Sequence, residues 1–210
     1  MRDSTFERLR ALLLAAVLVG SSFVVPRIPL RWRVPVQAGG AAVLVALTGS
    51  RIGLSAPRLW VGLRWGLATG AAAATTVAAT APVPVVRLSM STRELPQSVP
   101  AWLALRIPVG TVWAEEAAFR AALATVAGEG FGESGGRLVQ AVAFGLSHIA
   151  DARAAGEPVP ATVLVTGVAG WLFGWLADRS GSLAAPMLVH LAINETAAAA
   201  ALTIQRRSGS

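Results

Sequence analysis

Apolar residues run along the chain in stretches of about 15 to 25, long enough to cross a hydrocarbon core about 30 Å thick. Short segments where proline, glycine and arginine gather separate them. The first stretch follows a basic flank in "MRDSTFERLRALLLAAVLVGSSFVVP". No small-residue cleavage site comes after it, so the pattern predicts a retained first span. Further spans are predicted over 34–50, 59–81, 101–127, 137–150, 159–177 and 183–204. The stretch 137–150 is too short to cross unless it tilts or is enclosed by other helices. Breaker residues predict connectors at "PRIPLRWRVP", "SRIGLSAPR", "PVPVVRLSMSTRELPQSVP", "GEGFGESGG", "DARAAGEPVP" and "DRSGS".

The expected fold is therefore all-α, a polytopic transmembrane helix bundle of six to seven spans in the cell membrane. The connector at 82–100 divides the chain. Residues 1–99 hold N-terminal spans with no acid or histidine at membrane depth, and residues 100–210 hold nearly all the ionisable groups. In 159–177, Gly167, Gly170 and Gly174 include a G-x-x-x-G step that lets another backbone approach closely.

Composition strengthens the membrane reading, with 54% of residues hydrophobic and 14% charged. The net charge of +7 comes from arginine alone, in clusters such as Arg27, Arg31 and Arg33, or Arg51, Arg58 and Arg64. Those clusters lie between apolar stretches, where they face anionic lipid headgroups; no nucleic-acid partner is expected. The absence of cysteine excludes disulfides, thiolate metal sites and a cysteine nucleophile.

Against this background "WAEEAAFR" (113–120) stands out, because each ionised residue at a helix centre costs about 2.5–3.5 kcal/mol on insertion scales. The chain places Glu115, Glu116 and Arg120 in one predicted span, His148 near the end of the next, and His190, Asn194 and Glu195 in the last. At about 100° per residue, Glu116 and Arg120 share a helical face as an i, i+4 pair, while Glu115 turns away from both. Phe144 with His148, and His190 with Asn194, share faces in the same way. A carboxylate, two imidazoles and an amide from three helices can then meet in one polar cavity. Such a set can bind a divalent metal through Glu115, His148 and His190, or activate water by general base catalysis beside an oxyanion site.

The blocks "EEAAFR" (115–120), "FGLSH" (144–148) and "GSLAAPMLVHLAIN" (181–194) resemble the three motifs of the CPBP intramembrane proteases, the group that contains CAAX prenyl endopeptidases and bacteriocin-processing proteins. The resemblance covers roughly residues 100–200. It implies an endopeptidase acting on a membrane-associated or lipidated protein or peptide, with catalytic residues Glu115, Glu116, His148, His190 and Asn194. It implies further that Glu115 activates the attacking water, the histidines complete the centre and Asn194 stabilises the oxyanion. Family members are described both as zinc metalloproteases and as metal-free glutamate-dependent enzymes. Pro186, four residues before His190, frees a carbonyl and can kink the helix there, or serves as a first-turn proline.

Other classes remain in view. "GESG" (132–135) matches a rhomboid-type Gly-x-Ser-Gly motif, but it lies in a charged glycine-rich connector, which makes Ser134 a loop residue. A proton-relay transporter also uses Glu and His inside membranes, though it would show matching halves. A non-catalytic immunity or scaffold protein would bind a peptide without turnover.

Overall fold

The computed structural model describes residues 4–208, and among them every regular element is helical. Residues 1–3 of the basic flank and the last two residues of the 100–210 region lie outside the described residues. Helices α1 (Ser4–Val24), α2 (Leu30–Thr48) and α3 (Arg58–Thr80) are followed by the short α4 (Pro84–Thr92) and the single turn α5 (Val99–Ala101). The chain continues through two wider π-type stretches, Trp102–Trp113 and Glu116–Leu123. Helices α6 (Ala124–Ser147), α7 (Ile149–Ala155), α8 (Val159–Ser180) and α9 (Ala184–Ser208) complete it. Hydroxyls within the helices return to the carbonyl one turn back, as Thr69 Oγ1 does to Trp65 at 2.6 Å and Thr166 Oγ1 to Thr162 at 2.7 Å. That leaves few polar groups to face lipid.

Three helical stretches, Ser4–Arg27, Val159–Ser180 and Ala184–Arg207, are long and apolar enough to cross a membrane. They become four if α3 and α4, bent by 92° at their junction, count as one broken span. The sequence pattern predicted more, and the reasons are local. Helix α2 begins at Leu30, so Arg31 and Arg33 fall inside it and lower its hydropathy. Arg33 donates back to the carbonyls of Ile28 at 2.8 Å and Pro26 at 2.7 Å. The stretch 101–127 contains Arg106, Glu115, Glu116 and Arg120.

Helix extends into several of the predicted connectors. "GEGFGESGG" lies within α6, which runs through it with one break at Gly132 (φ 75°, ψ 172°). Glycine is read as a breaker from sequence, but here only Gly132 adopts the left-handed conformation that interrupts the helix. Ser134 is thus an exposed helical residue rather than a loop residue. The predicted span 137–150 is the second arm of α6 plus the start of α7, and the first half of "DARAAGEPVP" completes α7 before the left-handed Gly156 ends it. The connector at 82–100 likewise holds α4.

Small residues decide how the helices meet. Gly62, Gly66 and Gly70 line one face of α3, all buried against α9. A Cβ on Gly66 would stand 2.9 Å from the Cβ of Leu188 and 3.0 Å from the Cα of Ala185. On α8, Gly170 admits Phe144 and Gly174 admits Gln140, both from α6. The buried Gln140 amide donates to the Gly170 carbonyl at 2.8 Å across the same contact. The chain between α2 and α3 is strapped to the start of α9, with Leu183 N–H donating to Ile52 at 2.9 Å and Ser182 Oγ to Gly53 at 2.8 Å. At the far end of α9, Gln205 donates to the carbonyls of Met90 at 2.9 Å and Arg93 at 2.8 Å. Helix α9 is therefore fixed at both ends.

The Gly66→Val variant should lose about 1–3 kcal/mol of stability from overpacking. Thermal melting in detergent checks this, and an unchanged Tm would show that the α3–α9 contact can relax.

Candidate active site

The second π-type stretch carries the centre of the site, and each of its residues from Glu116 to Leu123 is buried. Widening a helical turn reduces the rotation per residue, so adjacent side chains diverge less than on an α-helix. Glu115 and Glu116 consequently both reach the histidine of α9. The side chains of Glu116 and Arg120 are fully buried, with Glu116 Oε2 3.2 Å from Arg120 Nε. This contact is a charge pair rather than an aligned hydrogen bond, and the Arg120 Nη atoms have no hydrogen-bond partner among the described residues.

Aromatic rings take the place of water around that cation. The guanidinium carbon of Arg120 lies 3.8 Å from the centre of the Phe144 ring, 5.1 Å from Phe173 and 6.0 Å from Phe119. A ring face attracts a cation through its quadrupole, which offsets part of the desolvation cost.

The other oxygen of Glu116 meets the His190 Nδ1 at 2.8 Å. An ionised carboxylate only accepts, so with Glu116 ionised the proton sits on Nδ1 and donates, leaving a lone pair on Nε2. That Nε2 lies 3.9 Å from Glu115 Oε2. The spacing on an α-helix paired Glu116 with Arg120 alone; the folded chain gives Glu116 two partners. Glu115 differs in exposure, since 25% of its side chain is accessible against none for Glu116.

His148 occupies the junction of α6 and α7. Its Nδ1 is 2.8 Å from the Phe144 carbonyl, which can only accept, so Nε2 is again left as an acceptor. Phe144 stands between the two imidazoles, 4.6 Å from His148 and 6.3 Å from His190 between ring centres. Glu115, Glu116, Arg120 and His190 thus form one connected group, and His148 joins it through the Phe144 ring. Asn194 and Glu195 are partly buried on α9, one turn beyond His190, without a hydrogen bond to the group.

Among the described residues, no three His, Asp or Glu side chains gather into a set that could hold a metal. His190 is engaged by Glu116, and His148 stands across Phe144 from it, so Glu115, His148 and His190 do not fit a three-ligand zinc site in this arrangement.

Sequence reasoning missed Phe119 and Phe173 as walls around Arg120. Phe119 directly precedes Arg120, and Phe173 lies within the glycine-bearing face of α8. Neither position carries a signal that separates it from ordinary apolar packing. The Glu116–His190 bond, between residues 74 apart in the chain, was equally invisible.

Residues 97–196 match the family described as type II CAAX prenyl endopeptidase Rce1-like. The matched segment contains every residue of this group. The search of curated proteins and the search of solved structures returned no match.

Glu116→Ala should destabilise the protein by about 3–5 kcal/mol, because it strands a buried cation. Adding Arg120→Ala should restore part of that loss. Melting curves of the single and double variants in detergent check this, and a double variant no more stable than the single would show that the pair is not the source of the cost.

Proposed function

We propose, from the CPBP-type protease character of residues 97–196, that the chain hydrolyses a peptide bond of a membrane-associated or lipidated protein, with Glu115 as the general base. The observation that carries this reading is the contrast between the glutamates. Glu116 is enclosed, paired in charge with Arg120 and hydrogen-bonded to His190 through its other oxygen, whereas a quarter of the Glu115 side chain is accessible and it makes no side-chain hydrogen bond among the described residues.

In the proposed reaction a water lies between Glu115 and the free Nε2 of His148. Glu115 removes one proton as the water oxygen attacks the scissile carbonyl carbon. Negative charge passes to the carbonyl oxygen, which the side-chain amide of Asn194 receives by donation. Collapse of this intermediate breaks the C–N bond, and the proton held by Glu115 moves to the departing nitrogen. His190, oriented by Glu116, turns its Nε2 lone pair toward Glu115, where it can accept the O–H that Glu115 carries once it has taken the water proton. Arg120 acts at one remove as a positioning residue, because it holds one oxygen of Glu116 in place and leaves the other to accept from His190.

Zinc at Glu115, His148 and His190 would supply a polarised water, but those three side chains do not converge here and no step is routed through it. The surrounding architecture proposed is a multi-pass bundle of six or seven crossings in the cell membrane. Residues 1–99 would supply enclosing spans and 100–210 the protease core.

Glu115→Gln keeps shape and polarity, so it should fold with an unchanged Tm and lose peptide cleavage by about two orders of magnitude or more. His190→Ala and His148→Ala should also stop cleavage while membrane abundance stays normal. Cleavage of peptides from a membrane fraction, followed by mass spectrometry, reads the outcome. Full activity of Glu115→Gln alongside an inactive but stable Glu116→Gln would reverse the two roles.

Protein stripped of metal with a strong chelator should keep its activity. About one equivalent of zinc in active protein, with loss of turnover on chelation, would replace the general-base route by the three-ligand one.

A further inference from the structure

A recess of about 590 Å³ opens at the end of the molecule where α3 and α9 begin and α8 ends. Its walls include Arg51 from the α2–α3 connector, Arg58 at the first turn of α3, and Arg179 in the last turn of α8. Arg120, with its side chain fully buried, lines it as well.

The first three arginines are exposed, and none has an ion pair or side-chain hydrogen bond among the described residues. Burial of Arg120 is anomalous in a different way. Its Nε faces Glu116, but Nη1 and Nη2 find no acceptor among the described residues. Donors without acceptors in a buried position are costly. Its side chain has no accessible surface, so Arg120 gives the recess positive charge and not an open donor, and that charge calls for an anion nearby.

Nearby acids do not meet this need. Asp178, the one acid lining the recess, is engaged by Arg137 at 2.8 Å. An adjoining cavity of about 390 Å³ shares Arg120 and Asp178, but its own charges are paired there, Arg137 with Glu133 at 3.1 Å and Glu129 with Arg10 at 3.4 Å. At the start of α9 three successive amides are already taken. Leu183 N–H donates to Ile52, Ser182 N–H to Ser180 Oγ and Ala184 N–H to Ser182 Oγ, and Pro186 has none. The charged donors of the recess are guanidinium groups, and planar guanidinium forks suit tetrahedral oxyanions.

We propose that this recess is a phosphate-binding site, held by Arg51, Arg58 and Arg179 with Arg120 at its floor. The position at one end of the helix bundle makes a phospholipid headgroup and free phosphate the two sources of that group. The proposal stands on the arginines alone and does not depend on the protease reading.

The full chain in a phosphate-free, delipidated detergent solution provides the test. Inorganic phosphate and dihexanoyl phosphatidic acid are each titrated while Tm is followed by tryptophan fluorescence, with sodium acetate at equal ionic strength as reference. Binding should raise Tm by a few degrees in a saturable way. The combined variant Arg51→Gln, Arg58→Gln and Arg179→Gln should weaken it at least about tenfold, as expected for loss of charge-assisted donors. Removing the same charge elsewhere, with Arg31→Gln, Arg64→Gln and Arg87→Gln, should leave it intact. Saturation by both ligands identifies a site for phosphate itself, and saturation by the lipid alone identifies a headgroup site. The proposal is overturned if neither ligand raises Tm beyond acetate, or if the effect survives in the recess variant. Loss in the distant variant as well would also overturn it, by reducing the effect to net charge.

Discussion

Everything in the polar interior of this molecule turns on one carboxylate shared between two partners. Glu116 has no access to solvent, and its two oxygens are divided between the Arg120 guanidinium and the His190 imidazole. An unpaired charge in that position would be prohibitively costly, and a pair with poor geometry would still carry a large desolvation penalty. Three phenyl rings around the guanidinium and the second bond to His190 reduce what the pair alone leaves uncompensated. The same bond sets the tautomer of His190 when Glu116 is ionised, and so directs a lone pair toward Glu115. Electrostatic necessity and the orientation of a reactive group are here one arrangement.

That arrangement needs α9 to be held at the correct height and distance from the π-type stretch. Glycines on α3 let it lie directly against α9, and the strap from Ile52 and Gly53 fixes where α9 begins. Glycines on α8 do the same for α6, which brings Phe144 to the place where it touches Arg120 and both histidines. A membrane interior gives little hydrophobic drive for helices to associate, so close approach through small residues carries much of the specificity. The site thus depends on residues that never touch it.

Arg120 connects the two polar regions. One side of its guanidinium faces Glu116, and the residue also borders the recess with Arg51, Arg58 and Arg179. The ion pair is closed off from that recess, since neither side chain has accessible surface, and what Arg120 contributes there is its positive charge. The wider turns of the π-type stretch let this happen on one short segment, presenting both glutamates and the arginine to partners on different helices.

The sequence by itself determined the helical class, the uncommon ionisable groups and their grouping in the second half, because burying charge in an apolar run is costly enough to mark the residues that bear it. It also determined the i, i+4 pairing of Glu116 with Arg120, which is local geometry. The breaks within "GEGFGESGG" and "DARAAGEPVP" were legible and fall at Gly132 and Gly156, but helix reaches further into both segments than the sequence pattern indicated, because glycine and proline signal a break only on average. Gly170 and Gly174 were legible as a G-x-x-x-G step, but the face that Gly62, Gly66 and Gly70 present to α9 appeared only in the folded chain. The second partner of Glu116, the separation of His148 by Phe144, the rings around Arg120 and the arginine-lined recess were decided only by tertiary structure. Each joins residues distant in the chain, and the spacing along one helix cannot state which face another helix will present to it.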